Sequence, residues 1–219
     1  MAKKINFGTI RNKEMTMLSN YGIASKELDV LTKAYRAEKK KINERIDKIL
    51  ADRKTALDNG MSVDEVTVKF STTEENTKLN ALTEKYNKDK EPITKRIDEC
   101  LELVPKNIYE AYKLAMEKGE LAELTNAINT FLSKLGIATP EKATSKFAQI
   151  MAVRISGMRK ATAKDKKAGH YVSAKNDREF KELFICAFIE YVVNDKGVVE
   201  VDKETGALTL KKFDEEPAA

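Results

Sequence analysis

Residues 28–50 read LDVLTKAYRAEKKKINERIDKIL, and residues 79–101 read LNALTEKYNKDKEPITKRIDECL. Aligned without a gap at an offset of 51, the two stretches share ten of 23 positions. The identities include Leu28/Leu79, Leu31/Leu82, Thr32/Thr83 and Tyr35/Tyr86. They extend to Arg45, Ile46 and Asp47 against Arg96, Ile97 and Asp98. Two amphipathic helices share Leu and Ile by periodicity alone. The common Tyr and the Arg-Ile-Asp triplet go beyond that and point to a duplicated unit. In both copies the apolar steps are 3, 4, 7 and 4: Leu28, Leu31, Tyr35, Ile42, Ile46, then Leu79, Leu82, Tyr86, Ile93, Ile97. This is one narrow stripe on a long helix, flanked by charged residues. Such a stripe covers one neighbour, so the expected solution is two long helices packed antiparallel, with these ten residues as the seam.

The seven-residue step leaves Glu38 and Lys39, and in the second copy Asp89 and Lys90, on or near the seam. A regular coiled coil places an apolar residue there. The seam is therefore expected to be wet or splayed midway, or open to a partner's chain. Pro92 lies inside the second copy, where it lacks an amide donor. A kink near 88–92 is expected, with a stop at Glu91 as the alternative. Ser25 reads as the start of the first helix and Asn59-Gly60 as its stop. Ser62 with Glu65, and Ser71 with Glu74, read as capping boxes for a short connecting helix and for the second long one.

Outward from the repeat, the spacing predicts a basic N-terminal arm over 1–24 and the helical hairpin over 25–104. A compact helical domain over 105–212 and a disordered tail over 213–219 follow. Pro105, Gly119, Gly136 and Thr139-Pro140-Glu141 punctuate three helices, and 178–193 (REFKELFICAFIEYVV) reads as the central core helix. The segment VVEVDKETGALTL alternates around a polar turn with Gly206 and predicts a small β-hairpin. The fold class is mainly α, with this hairpin at its end.

The 219 residues carry a formal charge of +5, and 34% of them are charged. Residues 25–104 are neutral in sum, 154–175 carry +6, and 176–219 carry −5. No run of about 18 apolar residues occurs, so no membrane association is expected. The opening MAKKINFGTI has no apolar stretch of signal-peptide length. Two Cys make no disulfide framework. The chain is accordingly expected in the cytoplasm of the producing cell or in a virion, and not secreted by a signal peptide.

Residue patterns that could carry chemistry are few. There is one His, His170, and the two Cys lie apart in helical patterns, so no zinc set of His and Cys is expected. No phosphate-binding glycine loop, dinucleotide fingerprint, calcium loop or nucleophile elbow is present. No catalytic residue, cofactor or metal site is expected, and the chain reads as not an enzyme. The basic cluster Arg154, Arg159, Lys160, Lys164, Lys166, Lys167, His170, Tyr171 and Lys175 suits contact with a polyanion or an acidic partner. It equally suits a solvated loop after a helix whose C-terminal cations favour the negative pole. Lys3, Lys4, Arg11 and Lys13 read as an N-terminal contact.

The opening MAKKINFGTIRNKEM, the duplicated helical pair and the ending KETGALTLKKFDEEPAA resemble the build of small auxiliary, head-associated structural proteins of tailed bacteriophages. The likeness is one of style over the whole chain, and no motif carries a functional residue across. It implies a non-catalytic virion component that binds other protein subunits, such as capsid proteins, through the hairpin and the arm. The alternatives are a weak, non-specific nucleic-acid binder using 154–175, and an adaptor or inhibitor of a host protein.

Overall fold

The computed structural model describes residues 5–7, 10, 12–137, 139–158 and 176–211. The fold is mainly α. Among these residues there are seven α-helices and one two-stranded antiparallel sheet. Contacts divide the chain into two units, Ala24–Arg96 and Met1–Ile23 with Ile97–Ala219.

Ala24–Arg96 is a helical hairpin. It holds most of α1 (Asn12–Asp58), all of α2 (Val63–Lys69) and most of α3 (Thr73–Leu101). Helix α1 ends in a left-handed residue, Gly60, with φ +88°. The Gly60 amide donates to the Leu57 carbonyl and the Met61 amide to that of Ala56, at 3.0 Å each. These two bonds satisfy carbonyls that the last turn leaves open, and glycine takes the left-handed conformation without a Cβ clash. Helix α2 opens with the anticipated box: Ser62 Oγ accepts from the Glu65 amide, and the Glu65 carboxylate accepts from the Ser62 amide at 3.2 Å. The Ser62 hydroxyl and amide hold the Glu65 carboxyl below the usual carboxylate range.

The second expected box does not form. Ser71 Oγ accepts from the Thr73 amide at 3.2 Å, while the Glu74 carboxylate lies 2.6 Å from Lys78 Nζ. A lysine one turn on is the stronger partner for an exposed carboxylate than a backbone amide behind it. One helix runs through Pro92 from Thr73 to Leu101, so the stop at Glu91 does not occur.

The second unit has a conventional core. Helices α4 (Ile108–Lys118), α5 (Ala122–Lys134), α6 (Glu141–Met158) and α7 (Asp177–Glu190) lead into a π-helical turn, Tyr191–Asp195. Strands β1 (Val199–Val201) and β2 (Leu208–Leu210) then pair in the register Val199↔Leu210 and Val201↔Leu208. Phe131, Phe147, Phe180, Phe184 and Phe188 are all buried. Phe131 meets Phe184 and Phe188 edge-on at 4.9 and 5.0 Å. Such ring pairs add about 0.5–1.5 kcal/mol each beyond the area they bury. The core helix is α7, as its all-round apolar pattern predicts.

The N-terminal boundary differs from expectation. Helix α1 begins at Asn12, with Ser25 inside it, and residues of the expected arm join the second unit. Phe7, Ile10, Met15, Leu18 and Tyr21 are buried. The Phe7 ring lies 5.8 Å from each of Phe147, Phe188 and Tyr191. The apolar positions at 15, 18 and 21 continue the helical period upstream of Ser25, so burial overrides a serine start signal. The β-hairpin is fastened here too. The Leu208 amide donates to Ser19 Oγ at 2.9 Å. Gly22 lets the Gly206 carbonyl approach where any Cβ would collide with it.

Candidate functional site

Among the described residues, the hairpin repeat brings matched polar and aromatic side chains together across α1 and α3. Tyr35 of α1 and Tyr86 of α3 stack, with centroids 4.3 Å apart and planes 18° apart. The Tyr35 hydroxyl lies 3.3 Å from Thr83 Oγ1, and the Tyr86 hydroxyl lies 3.1 Å from Thr32 Oγ1. In repeat register Thr32 matches Thr83 and Tyr35 matches Tyr86. The two bonds are therefore one contact made twice, related by a local two-fold axis through the stacked rings. The Thr83 hydroxyl proton goes to the Leu79 carbonyl at 2.8 Å, so Tyr35 is the donor to Thr83.

The same axis relates the cations. Lys39 Nζ sits 5.7 Å from the Tyr35 centroid and Lys90 Nζ 5.8 Å from that of Tyr86, again one position and its repeat partner. These are the polar residues that interrupt the apolar stripe. Their stems lie half-buried against the rings while the ammonium groups face the π clouds. Two cross-helix ion pairs flank the axis, Arg96 with Glu27 and Arg45 with Glu75, the latter at 3.9 Å. Early residues of α1 thus meet late residues of α3, which makes the pair antiparallel.

A groove of about 330 Å³ straddles the axis. It is lined by Leu31, Ala34, Tyr35 and Glu38 on α1 and by Leu82, Lys85, Tyr86 and Asp89 on α3. Every lining residue has its repeat partner in the other set. Of the ten seam residues, Ile42 and Ile97 are buried, and Leu28, Leu31, Tyr35, Ile46, Leu79, Leu82, Tyr86 and Ile93 are half-buried. The Tyr–Thr clasp is absent from the sequence reading, although its signal was present: Thr32/Thr83 and Tyr35/Tyr86 are identities three residues apart.

The turn end of the hairpin is different. Leu50, Leu57, Val63 and Val68 are exposed there, Val68 to 83%. Helix α2 holds three valines in seven residues and buries only Val66. An open cleft of about 600 Å³ between the end of α1 and α2 is lined by Asp52, Glu65 and Lys69 as well as by Ala56, Met61 and Phe70.

Of the basic cluster, Arg154 lies within the described residues. Its guanidinium pairs with the Asp195 carboxylate and sits 5.0 Å from the Tyr191 ring centroid. It is thereby engaged inside the second unit. Arg159, Lys160, Lys164, Lys166, Lys167, His170, Tyr171 and Lys175 lie outside the described residues, as do Lys3, Lys4 and Arg11. Lys13 is exposed in the first turn of α1.

The thiols are held by packing contacts. Cys100 Sγ donates to the Met17 carbonyl at 3.0 Å, and Cys186 Sγ lies 3.4 Å from the Tyr21 hydroxyl. Burial pushes the Cys186 thiol above its ordinary value, which disfavours the thiolate a nucleophile needs. Among the described residues no three His, Cys, Asp or Glu gather to hold a metal ion. No described helix is long and apolar enough to cross a membrane. No protein family, no curated protein and no solved structure matches the chain.

Proposed function

We propose that this is a non-catalytic structural or assembly protein that binds other protein subunits through its helical hairpin. One observation carries the reading. In the 73 residues of Ala24–Arg96 only Ala24, Ile42 and Val66 are buried apolar residues. A unit of that length orders its backbone at a cost of about 1–2 kcal/mol per residue. Beyond the bonds within its helices, the unit is held by the clasp and a narrow seam, and most of its surface is exposed or half-buried. Leu50, Leu57, Val63 and Val68 add exposed large apolar side chains near the turn end.

The setting implied by the resemblance is a virion, with capsid subunits as the partners. Mass spectrometry of purified particles and of assembly intermediates tests it. Stoichiometric presence that survives a high-salt wash is the expected result, and absence from every fraction refutes it. The nucleic-acid alternative gains no support from Arg154, whose charge is taken up by Asp195.

A further inference from the structure

We infer that the groove across the hairpin's local two-fold axis docks against the same groove of a second copy of this chain, which rests on the assembly reading and names one partner for it. Leu31 of α1 and Leu82 of α3 line the groove beside the clasped tyrosines, and both leucines are only half-buried with the hairpin closed. A single two-helix seam leaves them so. A second hairpin laid on the groove completes their burial, as the second pair of helices does in a four-helix bundle.

The charges on this face are self-complementary. In repeat register Asp89 matches Glu38, but Lys85 matches Ala34, so the groove carries its one lysine on α3. Glu38 is paired with Lys41 at 3.1 Å. Lys85 and Asp89 are exposed, and neither has an ion-pair partner among the described residues, although they stand one turn apart. Lysine ahead of the acid is the poorer order for pairing within one helix. An isologous contact uses both. With α3 of one copy antiparallel to α3 of the other, and the two-fold axis between positions 85 and 89, Lys85 of each copy faces Asp89 of the other. These reciprocal pairs fix the register, while the leucines supply the apolar area.

Sedimentation velocity of the full chain from micromolar to submillimolar concentration tests this, and the parent should show a monomer–dimer equilibrium. Lys85→Asp sets acid against acid across the contact, and Asp89→Lys sets lysine against lysine. Each should weaken self-association by about tenfold or more. Mixed in equal amounts, the two variants should associate about as tightly as the parent, because every altered charge then faces its opposite. Both side chains are exposed, so thermal midpoints near the parent's establish that the variants fold. A parent that stays monomeric over the whole range overturns the inference. So do reversals that leave the association unchanged, or a mixture no tighter than its components. The assembly reading fails separately: a monomer that co-purifies with particles loses the second copy and keeps that reading, whereas a dimer absent from every particle fraction keeps the second copy and loses the virion setting.

Discussion

The hairpin and the globular unit are built from the same residue types by opposite routes. In Ala24–Arg96 three buried apolar residues suffice, and specificity comes from a polar contact made twice across a local two-fold axis. In the other unit, aromatic rings from the N-terminal segment, α5, α6, α7 and the π turn close on one another. The lesson is that a long element can be specified by register rather than by bulk. Its Tyr–Thr bonds form in one alignment of α1 on α3, and a slip by one turn breaks both.

The contrast yields predictions of decreasing size. Phe188→Ala should cost about 3–5 kcal/mol in denaturant unfolding, because it empties a site ringed by Phe7, Phe131 and Phe147. Ile42→Ala, at the best-buried seam position, should cost nearer to about 2 kcal/mol, because a narrow seam relaxes around the gap. Equal costs would end the distinction between the two units.

Gly22→Ala should cost about 1–3 kcal/mol, since the new methyl meets the Gly206 carbonyl. Hydrogen exchange should report the loss first in β1 and β2. Protection unchanged there would mean that Ser19 alone fastens the β-hairpin.

Tyr35→Phe and Tyr86→Phe each break one of the two Tyr–Thr bonds and should each lower the thermal midpoint by a small amount. Their near equality tests the two-fold relation more sharply than either value. Ser62→Ala should cost about 1 kcal/mol, confined to exchange in α2.

The smallest effect concerns pH. Burial holds the Glu182 carboxyl above the usual carboxylate range, against the opposing pull of Arg178. The native state then binds that proton more tightly than the unfolded chain does. Its contribution favours the fold at low pH and fades as pH rises through the raised native value. Glu182→Gln should flatten that decline in a stability–pH series, whereas a Gln variant with an unchanged slope would count against the assignment.

Much of the fold was legible because the signals are local. The apolar steps of both repeat copies, Gly60, Gly119 and Gly136 at helix ends, the Ser62 box and the alternation around Gly206 all report on neighbours within a few residues. What was misread involved competition. Ser25 is a good start signal, but Met15, Leu18 and Tyr21 find a core that extends the helix past it. Ser71 and Glu74 spell a box, but Lys78 takes the carboxylate. For the candidate site, the repeat was visible and the seam residues with it. The clasp was not, because a hydroxyl's partner lies some fifty residues away.

The amino-acid sequence alone determined the helical class, the duplicated 51-residue spacing and the neutrality of the hairpin against charged flanks, since these follow from periodicity and composition. Only the tertiary structure decided that Phe7, Ile10, Met15, Leu18 and Tyr21 belong with the second unit, that α3 passes through Pro92, and that the interrupted middle of the stripe becomes a stacked, reciprocally bonded pair. Those outcomes turn on which of several locally adequate partners wins. That depends on distances between segments remote in the chain, which no local pattern encodes.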